Sequence, residues 1–303
     1  MHRLIGIATS LCLLSNSGAE AKTSATTDTL ELSGDFIIPV TINGKAYRWE
    51  VAPEGNAARV LNAHIAKALA LKPSMIGGIH MVGPVRLAAA SDSARIDYGG
   101  IMRKDRLFWF DRPASDISDG AIHPAMLPYS RVRFVLAPKS ANDRESVMPL
   151  DGVGMFGVGG GVGKFKYGDV EIRISFSLKR RETLMTAPTG VLLAAEHGGA
   201  FSEQQRQAMI RFGVERPVRP LRFARPFSLF ERPVTAALVR VSDFGDASHI
   251  PDGTTADQDE IIVTGKTKKK PEYAIILGRD FLEGCSSLTY DMKAKLIRLS
   301  CQP

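Results

Sequence analysis

The sequence predicts a mainly β protein in which one structural unit is written twice, and three observations carry that prediction. An alternating hairpin runs into a proline-glycine loop at Ala52-Pro53-Glu54-Gly55, and a second alternating stretch runs into a similar loop at Ala187-Pro188-Thr189-Gly190. A helix signature follows each loop. Two further segments, Phe110-Asp111-Arg112-Pro113 and residues 119–127, return in the same order as Phe230-Glu231-Arg232-Pro233 and residues 274–282. Matches that keep their order while the loops between them change length point to internal duplication.

In the first copy, Ile38, Val40 and Ile42 fall on one face of a strand, and Asn43-Gly44 is a two-residue turn signal. Tyr47 to Val51 returns as the second strand. Beyond Gly55 come Val60 and Leu61, then Asn62 as N-cap of a helix ending near Leu71, with Ile65, Ala68 and Leu69 as its apolar stripe. Lys72-Pro73 stops it.

In the second copy, Val170, Ile172, Ile174, Phe176 and Leu178 alternate with polar residues. A charged turn through residues 179–182 leads to a returning strand at 183–186. Ser202 with Gln205 forms a capping-box signature for a helix through about Phe212, closed by Gly213. The resulting organisation is a first lobe over 30–140, a glycine-rich linker over 141–164, and a second lobe over 165–303 with an insertion at about 243–272. Residues 152–163 are glycine-rich, but a strand follows where a phosphate-cradling loop needs a helix and a Lys-Ser/Thr pair.

The start of the chain reads as an export signal over residues 1–21. It has a short basic opening, an apolar run over 4–14, and a small-x-small cleavage site at Ala19-Glu20-Ala21. Cys12 lies inside the apolar run, which argues against a lipid anchor. No stretch approaches the roughly 20 apolar residues that span a bilayer. A mature chain soluble in a bacterial periplasm is therefore expected. The net charge of +7 is dispersed apart from Lys266 to Lys270, with no zinc-finger spacing or basic-aromatic motif, so nucleic acid is not expected as a partner. The histidines show no metal-site spacing, and no cofactor is implied.

Cys285 and Cys301 flank a hairpin that turns near Lys293 and lie the same distance from its centre. Antiparallel pairing would set them face to face, as a disulfide in an oxidising compartment or as a pair of buried thiols.

These loops, helices and the segment Ile276-Leu277-Gly278-Arg279-Asp280-Phe281-Leu282 resemble the retropepsin-like and pepsin-like aspartic proteases. That family places a strand before Asp-Thr/Ser-Gly, then a capped helix, then a hydrophobic-hydrophobic-Gly segment. The resemblance implies a bilobal pepsin-like fold of two retropepsin-like β-barrel lobes, each with a short helix. Aligning Gly55 and Gly190 with the family glycine puts Pro53 and Pro188 where the two catalytic aspartates belong. Two carboxylates sharing one proton are the chemistry of such a site, and proline offers neither acid nor base. His123 stands where the second copy has Gly278.

The expectation is an exported protein without the aspartate dyad, binding a peptide or periplasmic protein between its lobes. Glu54, Gly55, Thr189 and Gly190 are the cleft candidates. An active endopeptidase with a displaced acid pair and a structural envelope component are the alternatives. The hairpin over 77–101 stands where a flap would cover the cleft, or is one more sheet hairpin. Residues 259–266, centred on Ile261, Ile262 and Val263, resemble the TonB box of outer-membrane receptors and are either a docking strand or an ordinary strand before a lysine loop.

Overall fold

The computed structural model describes residues 28–55, 57–154, 159–241 and 271–303. The expected signal segment, and Ile261, Ile262 and Val263 with most of the insertion around them, lie outside the described residues.

β1 (Thr29–Leu32) precedes a hairpin of β2 (Ile37–Ile42) and β3 (Lys45–Val51). Ile42 pairs with Lys45, so Asn43 and Gly44 alone form the turn, with φ of 48° and 82°. Both angles are positive, as a tight hairpin turn demands and as Asn-Gly accepts at little cost. β4 (Arg59–Leu61) and α1 (Ala63–Ala68) follow. The hairpin of β5 (Gly78–Val82) and β6 (Val85–Asp97), then β7 (Met102–Trp109) and β8 (Gly120–Ile122), complete a sheet of order β2-β3-β8-β4-β7-β6-β5. Trp49, Leu61, Ile96 and Leu107 are its fully buried centre.

α1 is shorter than its sequence implies, because Ala70 turns left-handed (φ 52°) and ends it before Leu71. Its buried residues are Ile65 and Ala66, while Ala68 is exposed. Asn62 occupies the N-cap position without capping. Its amide donates to the carbonyls of Ser115 and Ser118 and accepts from the N–H groups of Ala114 and Ser115, which staples the loop before β8.

β9 (Arg131–Val135) and β10 (Arg144–Pro149) lead to the second lobe, which opens with β11 (Gly163–Tyr167) and β12 (Val170–Phe176). Next come β13 (Leu184–Met185), α2 (Ala187–His197), β14 (Gly199–Phe201), β15 (Arg206–Arg211), β16 (Val214–Leu229) and β17 (Arg232–Arg240). β18 (Ala274–Leu277) and α3 (Arg279–Leu282) close it. The sheet order is β11-β12-β18-β13-β17-β16-β14, with β15 paired to β16. β12 runs parallel to β18, and β13 runs antiparallel to β18 and parallel to β17. β3, β8, β4 and β7 have the same relations in the first lobe.

The closing hairpin, β19 (Cys285–Asp291) and β20 (Leu296–Cys301), does not join the second lobe. It lies in a third sheet of order β1-β9-β19-β20-β10, drawn from both ends and the middle of the chain. Fully buried Phe134, Leu288, Tyr290 and Ile297 anchor this sheet to the core shared by both lobes. Cys285 faces Cys301 in the register and the two are joined by a disulfide. The architecture is mainly β and bilobal, as the pepsin-like expectation required.

Four details depart from the sequence expectation. Residues 206–211 are strand rather than helix, because pairing with β16 and burial of Ile210 outweigh the Ser202/Gln205 signature. The helix of the second lobe instead begins at Ala187, with Pro188 in its first turn, where a missing N–H costs nothing. Phe110 follows β7, whereas Phe230 sits in the turn between β16 and β17, so the two are not equivalent. The expected linker holds β10 and the first residues of β11, both hydrogen-bonded strands.

Candidate functional site

The two registers identify which loops correspond. Val51 pairs with Ile122, and the next amide, Ala52 N–H, donates to the Ile122 carbonyl at 2.9 Å. In the second lobe Phe176 pairs with Leu277, and Ser177 N–H donates to the Leu277 carbonyl at 2.8 Å. Counting onward, Pro53 corresponds to Leu178, Glu54 to Lys179 and Gly55 to Arg180. His123 corresponds to Gly278, as the sequence implied. The two loops meet where the lobes join: Phe176 N–H donates to the Pro53 carbonyl at 3.4 Å, and Arg180 reaches Glu54 at 3.4 Å.

Pro188, Thr189 and Gly190 therefore are not the second loop. They form the first turn of α2, and Thr189 is 0% exposed. Its hydroxyl is engaged with Thr186 at 2.8 Å and accepts from Ala274 N–H at 2.9 Å. A Cβ on Gly190 would stand 2.5 Å from Val239, so this turn is packed against β17. Thr189 and Gly190 serve the core, whereas Glu54 and Gly55 do line the cleft.

The cleft is bridged by the β15–β16 hairpin. Its turn residues Phe212 and Gly213 have φ of 51° and 69°, and the Phe212 ring lies 4.6 Å from Phe110 and 5.3 Å from His80, both first-lobe residues. Arg112 Nη1 donates to the Gly213 carbonyl at 3.2 Å. His80 and Val82 come from the β5–β6 hairpin, the segment expected to occupy the flap position. This contact leaves two cavities. One of about 310 Å³ is lined by Gly55, Leu184, Ile276 and Arg240 among others, and one of about 480 Å³ by Val60, His123 and Arg180 among others. Glu54, Ile210 and Arg211 line both.

Each carboxylate on these walls faces a cation. Glu50 accepts from the Ser115 hydroxyl at 2.6 Å and pairs with Lys179 at 2.9 Å, and Asp116 pairs with the same lysine at 2.9 Å. Glu54 faces Arg180, and Glu272 lies 3.5 Å from Arg173. Asp280, the other carboxylate singled out by its motif, accepts from Thr183 N–H and Oγ1 at 2.9 Å and braces α3.

Arg211 differs from these cations. Among the described residues no hydrogen bond or ion pair reaches its guanidinium, whose Cζ lies 4.7 Å from the centre of the Phe212 ring. Burial lowers its pKa and the nearby Glu54 charge works against that shift. Two histidines feel the same cation. Burial, then Arg211 and Arg240, bring His80 down to about 4, and burial, then Arg211, bring His123 down to about 3. His123 is 3% exposed, and its Nδ1 accepts from Ala125 N–H at 3.2 Å, which places the proton on Nε2. Among the described residues that Nε2 has no partner. The Tyr290 hydroxyl, whose pKa burial raises, donates weakly to the Pro53 carbonyl at 3.5 Å.

Among the described residues no group of three or more His, Cys, Asp or Glu could hold a metal ion, and no helix is long and apolar enough to cross a membrane. Sequence reasoning missed Leu178, Arg180 and Arg211. The usable signal for Arg211 was the Phe212-Gly213 pair, which a strand assignment of its flanks would have made a hairpin turn.

No protein-family model and no curated protein matches the chain. Among solved structures the chain is similar to the crystal structure of aspartic proteinase from Irpex lacteus, at 12% identity and a TM-score of 0.42, over 88% of this chain and 94% of that one.

Proposed function

We propose that this chain is an exported protein of aspartic-protease type, derived by duplication of one lobe, that binds an extended peptide or protein segment between its lobes and does not hydrolyse it. One observation carries the reading. At the two corresponding positions of the loops that meet between the lobes stand Pro53 and Leu178, neither of which can hold a proton for water activation. The carboxylates nearby are each held by a cation, so none is poised to share a proton with another. The cavities beside them, with apolar walls and a few polar groups, have the character of binding sites. The Cys285–Cys301 bridge fits an oxidising compartment such as the periplasm.

The test is a peptide-library cleavage assay on the purified chain from acidic to neutral pH, run beside a binding assay with the same library. Binding without cleavage is the expected result. Cleavage that follows the protein through purification overturns the reading and reinstates an endopeptidase with a displaced acid pair. A chain that neither binds nor cleaves points to a structural envelope role, which the Phe212 contact between lobes favours. Strand pairing through Ile261, Ile262 and Val263 rests on sequence alone, and deleting residues 257–270 before partner capture tests it.

A further inference from the structure

The centre of the cleft holds an imbalance of charge and of hydrogen bonding. Arg180 and Arg211 flank a single carboxylate, Glu54, and the ion pair goes to Arg180. Arg211 lines both cavities with its guanidinium unengaged by any hydrogen bond or ion pair among the described residues. His123 lines the larger cavity, buried, and among the described residues its Nε2–H has no acceptor. A buried donor left without an acceptor is costly, and a guanidinium left unpaired in a partly desolvated cleft costs more. Both deficits are removed by the same kind of group, an acceptor carrying negative charge.

The geometry points to a carboxylate on the bound peptide, held by the guanidinium of Arg211 with His123 Nε2–H as a second donor. This inference rests on the reading of the cleft as a peptide site. His123, held neutral by burial and by the nearby Arg211, adds a donor without adding charge, and a carboxylate answers the single charge of Arg211. The planar fork of arginine also matches a carboxylate in two parallel hydrogen bonds, which a point-charged lysine does not. The apolar walls supplied by Val60, Ile210, Leu184 and Ile276 then take the neighbouring side chains of an extended peptide. The carboxylate is either the C-terminal group of that peptide or an Asp or Glu within it.

The experiment measures fluorescence anisotropy of labelled extended peptides against the intact chain. Each peptide is made with a free and an amidated C-terminus, and with an internal Asp or Asn. The expected result is a preference of about tenfold or more for one acid form over its neutral counterpart. A preference for the free terminus assigns the site to the chain end, and one for Asp assigns it to a side chain. Arg211→Gln should erase the preference between acid and neutral forms, and Arg211→Lys should restore only part of it. If neutral peptides bind and no acid form is preferred, or if the preference survives Arg211→Gln, the carboxylate assignment is wrong while the peptide cleft stands. If no peptide binds, both are wrong. Should Arg211→Gln not fold, the His123 Nε2–H resonance of the unmodified chain decides the question. It must shift on adding the preferred acid peptide and stay in place with its neutral twin, and equal shifts with both overturn the inference.

Discussion

The guanidinium of Arg211 lies directly against Gly55, so that a Cβ on the glycine would collide with Nη1 and stand 3.1 Å from Cζ. A residue of the second lobe thus occupies the space that the absent side chain of a first-lobe loop leaves open. The loop pays twice for any larger residue there, because Gly55 also has φ +72°.

Gly55→Ala is accordingly expected to destabilise the protein by about 1–3 kcal/mol, part from the left-handed backbone and part from the displaced arginine. A double-mutant cycle with Arg211→Ala separates the two. In urea unfolding, the double variant should recover the arginine part and keep the backbone part. Strictly additive losses would mean that the two residues do not touch in solution.

Phe212→Ala removes the ring that ties the β15–β16 turn to Phe110 and His80. A loss of about 3 kcal/mol is expected from the buried aromatic, together with a larger radius of gyration by small-angle scattering as the lobes separate. An unchanged melting temperature and scattering profile would show that the lobes are held by the shared sheet alone.

Acid sensitivity follows from His80 and His123. Both are held neutral in the fold, at about 4 and about 3 against 6.5 for a free histidine, so the unfolded chain binds protons first as pH falls. Their contribution is complete above pH 6.5 and is lost between there and the folded values. Each can cost up to about 1.4 kcal/mol per pH unit across that window. Urea midpoints measured from pH 7.5 to 4.5 should fall steadily, and His80→Phe should flatten the slope. A slope unaltered by that substitution would remove His80 from the account.

The Cys285–Cys301 bridge closes a segment with a sequence separation of 16 across β19 and β20. Replacing both by alanine, or reducing them, is expected to cost about 3 kcal/mol by the chain-entropy argument. Denaturant unfolding with and without reductant measures it, and identical midpoints would refute the prediction.

What the sequence made legible was local. Asn43-Gly44, the alternation on either side of it, and the spacing of Cys285 and Cys301 about Lys293 each depend on neighbours a few residues away, and all fold as read. The correspondence of His123 with Gly278 was also legible, because the apolar pairs before them carry a strong pattern. The second cleft loop was not. Ser177, Leu178, Lys179 and Arg180 carry no Pro or Gly to mark a turn, while Ala187-Pro188-Thr189-Gly190 imitates one and is in fact a helix start. Likewise Arg206 to Arg211 becomes a strand only because β16 lies beside it, a partner the local sequence does not announce. Arg211 acquires its place in the cleft from that pairing, so its role could not be read before the topology was known.

The base sheet has a kinetic consequence. β19 and β20 come after the other three strands in the chain, yet they separate β1 and β9 from β10. Neither flank can be completed until both are made, and the pairing of β9 with β19 closes a very long loop. Assembly of this sheet is therefore late and slow. Until the C-terminal hairpin arrives, β1, β9 and β10 wait with open edges, the state in which a chaperone or a passing strand would find them.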